Sequence, residues 1–216
     1  MSATAANLPV LIQSAIHAID SHAAELTELD RAIGDGDHVD NLIRGLQALS
    51  AISEELSQLD WQQALLKMGI TVMSKVGGAS GSLYGTLFMT MSKSLQNRAL
   101  TTAVFAEIFH LGVESVKLRG KADKGEKTML DVLIPVSEVL ISHAAHPDLF
   151  DHIKQAAING AEATRDMVAT KGRASFLGER SRGHVDAGAK SSQVMICAVV
   201  DALKPNGGMQ QGSRSC

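Results

Sequence analysis

A chain of 216 residues suits one domain, or at most two small ones, and buries a core without needing disulfides. Aromatic residues make up only 3% against 45% hydrophobic residues overall, so Ala, Leu, Ile, Val and Met must build the core, a palette that favours helices over sheets. A formal net charge of −3 speaks against a nucleic-acid binder, and no run is long and apolar enough to cross a bilayer.

Helical periodicity predicts eight segments in chain order: 6–27, 40–56, 60–76, 81–96, 102–119, 127–144, 148–170 and 189–204. Segment 102–119 shows why. Val104, Ile108, Leu111, Val116 and Leu118 give much of one apolar stripe, and Glu107, Glu114 and Lys117 leave it. Thr101 or Thr102 caps its start and Gly120 sits where a helix stops. Asp60 and Asp148 are the expected caps of the third and seventh segments. Pro135 is expected to kink or split the sixth. No segment reads as a strand.

The two cysteines make no disulfide framework: Cys197 lies in an apolar run as a buried thiol, and Cys216 ends a polar tail. The N-terminal MSATAANLPVLIQSAIHAID lacks the basic flank and apolar length of a signal peptide, so a soluble, cytoplasmic protein is expected. The expected organisation is one helical domain over 1–204 and a flexible tail over 205–216.

Chemistry is concentrated in the breaks between helices. LDRAIGDGDHVDN places Asp30, Asp35, Asp37 and Asp40 within eleven residues. Gly34 and Gly36 permit the positive φ values that let these carboxylates converge. Converging carboxylates repel unless a cation lies between them, and hard oxygen ligands suit Mg²⁺, Ca²⁺ or Mn²⁺. Mg²⁺ usually shares phosphate oxygens, which points to a nucleotide or another phosphate ligand. The structural alternative is a solvated acidic turn before the second segment.

KVGGASGSLYG at 75–85 places Gly77, Gly78 and Gly81 around Ala79 and Ser80, directly before a helix. Such a turn offers backbone N–H groups to phosphate, although it lacks the Lys-Ser/Thr pair of a P-loop. Its alternative is a plain helix–helix turn. RGKADKGEKTMLD at 119–131 and KGRASFLGERSRGHVDAGAKSS at 171–192 are Gly-spaced and charged. Arg173, Arg180 and Arg182 carry planar forks suited to phosphate. His184 reads as an ordinary loop histidine, and His38 as a candidate ligand contact.

These four motifs, in this order, resemble the L subunit of bacterial dihydroxyacetone kinases and the C-terminal nucleotide domain of the single-chain kinases. The resemblance implies an all-α, eight-helix antiparallel barrel with the nucleotide site at one end. It implies two Mg²⁺ ions on Asp30, Asp35 and Asp37, bridging the phosphates of ADP or ATP, with no catalytic group beyond that metal site. His38, Asn41, Ala79, Ser80, Gly120, Met129, Arg173, Asp186 and Gly188 match positions that contact the nucleotide or close over it. The implied partners are a K subunit carrying dihydroxyacetone and, in the phosphotransferase-system version of the family, a phosphohistidine M subunit; in the ATP-dependent version ATP exchanges as an ordinary substrate.

The chain departs from the family pattern at Val39, where Gly is usual and a side chain can crowd the phosphates, and Asp40 adds a carboxylate beside it. Ser82 and Ala187 stand where Pro is usual. Val39 and Asp40 motivate an alternative function: a non-catalytic, nucleotide-binding regulator that engages a transcription factor or a K subunit.

Overall fold

The computed structural model describes residues 4–204. Among them run α1 (Leu8–Ser21), α2 (Ala23–Ile33), α3 (His38–Ala51), α4 (Ser53–Gln58), α5 (Trp61–Lys75), α6 (Gly78–Leu95), α7 (Thr102–Gly120), α8 (Leu130–His143), α9 (Leu149–Ala163) and α10 (Ala187–Leu203). Two 3-10 stretches, Thr164–Asp166 and Arg173–Ser181, precede α10. The described residues contain no strand, only an isolated bridge between Thr4 and Asp60.

The helices α1, α3, α5, α6, α7, α8, α9 and α10 each pack on the next, and α10 packs back on α1, so the bundle closes on itself. The short α4 lies against α1, α3 and α5, while α2 leans on α3 and α10. Ile108, Val113, Val116, Leu130, Val132 and Leu133 belong to the main buried cluster. Leu8, Ile12, Leu49, Leu56, Met68 and Val72 fill a second, and Ile19, Leu26, Val39, Leu42 and Val194 a third. Cys197 is buried, whereas Cys216 and the expected tail 205–216 lie outside the described residues. No helix among the described residues is long and apolar enough to cross a membrane.

Several boundaries differ from expectation for local reasons. The segment expected at 6–27 is α1 and α2, separated at His22, whose Nδ1–H donates to the Ala18 carbonyl at 2.8 Å. The same carbonyl also accepts from His22 N at 3.2 Å, and His22 itself leaves the helical range with φ of −107° and ψ of 9°. A similar break at Ile52 separates α3 from α4. Asp60 caps α5 by accepting from Gln63 N at 2.9 Å, and Thr101 caps α7 by accepting from Val104 N at 3.2 Å. Asp148 stands before α9 but makes no capping bond; its own N–H instead donates to His146 Nδ1. Gly120 is still helical, and the left-handed residue that ends α7 is Lys121, with φ of 49°. Pro135 does not split α8. The single missing N–H is tolerated there because α8 is packed between α7 and α9. The start of α8 moves from 127 to Leu130 because Lys127 itself is left-handed, with φ of 61°.

Candidate functional site

The acidic turn is built by α2 running on to Ile33, which places Asp30 in its last turn. Gly36 takes φ of 80° and reverses the chain, and Asp37 then precedes α3. Gly34 serves differently: its φ is −130°, but a Cβ there would collide with the Asp30 carboxylate. Glycine at 34 therefore lets the chain pass directly over Asp30. One carboxylate oxygen from each of Asp30, Asp35 and Asp37 lies within 4.8 Å of the other two. Asp30 is the least exposed of the three and also accepts from His38 N at 3.1 Å. Across from them, Arg173 Nη1 sits 2.7 Å from Asp35 Oδ2. Asp40 is exposed on α3 and is not part of the converging trio.

His38 ties together the starts of three helices. It is the first residue of α3, and its Nε2 lies 2.9 Å from Ser191 Oγ in α10. The Ser191 hydroxyl donates to the Gly188 carbonyl at 3.1 Å, so it accepts from His38 Nε2–H. That leaves Nδ1 as the acceptor facing Ser80 Oγ in the first turn of α6, at 3.5 Å. Burial holds the imidazole below its ordinary pKa, against the pull of Asp30, Asp37 and Asp35. The positive ends of α3, α6 and α10 thus converge beside the carboxylates, an arrangement that favours an anion bridged to a cation. Hard carboxylate oxygens fit Mg²⁺, which takes a few protein ligands and completes its shell with phosphate and water.

The remaining sequence candidates fall around this centre. Asn41 is buried in the first turn of α3, where its Oδ1 accepts from Arg44 Nη1 at 3.2 Å. Ala79 neighbours Ser80 at the start of α6. Met129 precedes α8, and a Cβ on Gly188 would lie 3.7 Å from its backbone nitrogen. Gly120 sits at the end of α7 against Leu83. Asp186 caps α10 by accepting from Ala189 N at 2.7 Å. Burial pushes its carboxyl up to about 6, against the Ala189 hydrogen bond and Lys127. Val39 is buried and packs with Ile19, Leu26, Leu42 and Val194. Ala187 is likewise buried.

Two residues that spacing does not single out organise the loops. Lys127 is 1% exposed and donates to the carbonyls of Thr164, at 2.5 Å, and His184. Burial lowers its pKa, although Asp186 and Asp131 pull the other way. Asp131 is buried and accepts from Gly125 N and from Thr128 N at 2.8 Å, shaping the turn that holds Lys127. A basic loop in sequence gives no sign that one of its lysines points inward. The segment 164–181 is further anchored by Ala169 and Ala174 packing on Ile33 of α2.

Comparison with known proteins agrees with this architecture. Residues 32–201 match the DAK2 domain family. The chain is 44% identical over 175 residues to the ADP-binding subunit of PEP-dependent dihydroxyacetone kinase 1 of Listeria innocua, covering 81% of this chain and 85% of that one. It is 40% identical over 184 residues to the corresponding ADP-binding subunit of Escherichia coli, covering 83% and 88%. The crystal structure of the dihydroxyacetone kinase of C. freundii superposes with a TM-score of 0.74 at 21% identity. That match covers 93% of this chain but only 35% of the other, and it shows the shared helical barrel fold. This chain therefore belongs to the DAK2 domain family, the family of the dihydroxyacetone kinase L subunits.

Proposed function

We propose that this chain is the nucleotide-holding subunit of a phosphotransferase-system-dependent dihydroxyacetone kinase. The observation that carries the reading is the convergence of Asp30, Asp35 and Asp37 beside the starts of α3, α6 and α10. The names of the relatives support the same role, since they are ADP-binding subunits of PEP-dependent kinases. The C. freundii enzyme has also been crystallised with AMP-PNP and Mg²⁺.

In this reading Asp30, Asp35 and Asp37 hold two Mg²⁺ ions, and the bound ions neutralise charge on the phosphates of ADP or ATP. Ser80 and the backbone N–H groups near Ala79 cradle phosphate oxygens, and His38 braces that turn against α10. Asn41 completes the phosphate side. Arg173 leaves Asp35 to offer its planar fork to phosphate, a change of partner rather than a new charge. Gly120, Met129 and Gly188 line the nucleoside side, and the stretch ending at Asp186 closes over it. Positioning and fixed charge do most of the work in phosphoryl transfer, so a separate base on this chain is not required. A K subunit presents dihydroxyacetone, and a phosphohistidine M subunit recharges bound ADP.

The burial of Val39 among Ile19, Leu26, Leu42 and Val194 speaks for the catalytic reading over the regulatory alternative, because that side chain is taken up by the core. Calorimetry with Mg²⁺ and ADP, followed by transfer to dihydroxyacetone in the presence of a cognate K subunit and phosphodonor, tests the proposal. Asp35→Ala is expected to abolish both binding and transfer. A variant that phosphorylates dihydroxyacetone at the parent rate would overturn it.

A further inference from the structure

We infer a second metal site, separate from the aspartates, formed by His143, His146 and His152 at the corner between α8 and α9. It would take a borderline divalent ion of the Zn²⁺, Ni²⁺ or Cu²⁺ class. His143 ends α8, His146 lies in the turn, and His152 is in the first turn of α9. Their ring centroids are 4.7 Å apart for His143 and His152, 5.2 Å for His146 and His152, and 5.8 Å for His143 and His146. Imidazole nitrogens bound tetrahedrally at about 2.0–2.1 Å put their ring centroids about 5 Å apart. The three centroids lie near that separation, and the ring nitrogens have still to turn toward a common point.

Backbone hydrogen bonds fix the three residues at one corner of the chain. His146 N donates to the His143 carbonyl at 2.8 Å, and His152 N to the Asp148 carbonyl at 3.1 Å. Ser142 Oγ donates to the Glu138 carbonyl at 2.7 Å, so it accepts from His143 Nδ1–H, also at 2.7 Å. His143 Nε2 is thereby left with its lone pair, and the opposite nitrogen is tied as in most metal-bound histidines. His146 needs one exchange of partners. Its Nδ1 now accepts from Asp148 N at 3.2 Å, and the Asp148 carboxylate lies 3.9 Å away. Moving the ring proton to Nδ1 lets it donate to that carboxylate and frees Nε2. Among the described residues only the three aspartates bring three ligand atoms within 4.8 Å, so the imidazoles close on an ion by side-chain rotation. His146 and His152 are exposed, which leaves that rotation open.

The site is distinct from the nucleotide centre. His143 ends the fourteen-residue helix α8 and Met129 precedes it, a distance of about 20 Å along the helix. Imidazole nitrogens also select different ions from the hard oxygens of the aspartates. The inference does not rest on the nucleotide reading.

The test uses the untagged full chain, stripped by a chelator and held in excess Mg²⁺ so that the aspartates are filled. Titration with Zn²⁺ by calorimetry is expected to show a single ion bound per chain and a raised Tm. Co²⁺ is expected to give visible d–d absorption of tetrahedral strength. The double variant His146→Gln/His152→Gln is expected to lose all three signals while binding ADP as the parent does. An Asp30→Asn/Asp37→Asn variant is expected to keep them. Zn²⁺ uptake that survives loss of the histidines, uptake that disappears with the aspartates, or no uptake by the parent overturns the assignment.

Discussion

The Arg173 guanidinium lies on the Asp35 carboxylate, 2.7 Å from Nη1 to Oδ2, joining the 171–186 segment to the acidic turn. Side-chain exposures of 69% and 30% mean that water screens the pair, so it contributes little to stability. Arg173→Ala should shift unfolding by less than about 1 kcal/mol. It should nevertheless weaken Mg-ADP binding measurably by calorimetry, and Arg173→Lys should recover only part, because an ammonium lacks the planar fork. Equal Mg-ADP affinity in Arg173→Ala would remove this residue from the nucleotide pocket.

Gly34 offers a test of geometry without a change of charge. A Cβ at this position would press on the Asp30 carboxylate. Gly34→Ala is expected to weaken Mg²⁺-dependent ADP binding on the order of 10–100-fold, the range seen when groups that orient metal ligands are disturbed. Calorimetry at fixed ADP over a range of Mg²⁺ would show it. An unchanged Mg²⁺ dependence would mean that Asp30 has room to move.

Lys127 joins two loops through the carbonyls of Thr164 and His184. Lys127→Met would leave the buried Thr164 carbonyl without that partner, at roughly 1–3 kcal/mol for a buried polar group left unpaired, while His184 is exposed to water. A lower Tm is expected, together with faster amide exchange across 164–186. Exchange that accelerates only elsewhere in the barrel would show that the lysine does not fasten this segment.

Asp186 predicts a pH dependence. Burial raises its carboxyl to about 6, above the ordinary carboxylate value of about 3.9. Between these values the folded chain holds more protons than the unfolded chain, so the Asp186 contribution to stability falls as pH rises through the window. Below the lower value the contribution is flat, and above about 6 the cost of the buried charge is fully present. Asp186→Asn retains a capping oxygen for Ala189 N. In metal-free protein, the stability of the variant relative to the parent should therefore rise from pH 4 to 6, as read from urea unfolding at a series of pH values. A difference that stays constant across that range would place the titration elsewhere.

Much of the fold was legible because helical signals are local. The apolar stripe of α7, with Thr101 capping its start, needs only neighbours within a few residues to show itself. Breaks were less legible. His22 interrupts the first segment with φ of −107° and ψ of 9° while its ring bonds the Ala18 carbonyl, and helix propensity alone does not reveal it. The end of α7 and the start of α8 were displaced by left-handed backbone at Lys121 and Lys127, where glycine would be the expected residue.

By itself the sequence determined an all-helical chain and the grouping of Asp30, Asp35 and Asp37 in one glycine-spaced turn, because residue type and short spacing carry both. Only the tertiary structure decided what surrounds that turn. His38 meets Ser191 across 153 residues and Ser80 across 42, and Lys127 reaches His184 across 57. Val39 is buried in the core for the same reason. Such pairings follow from how the helices close into a ring, since the direction of a side chain is fixed by the packing of its helix and not by its neighbours in sequence.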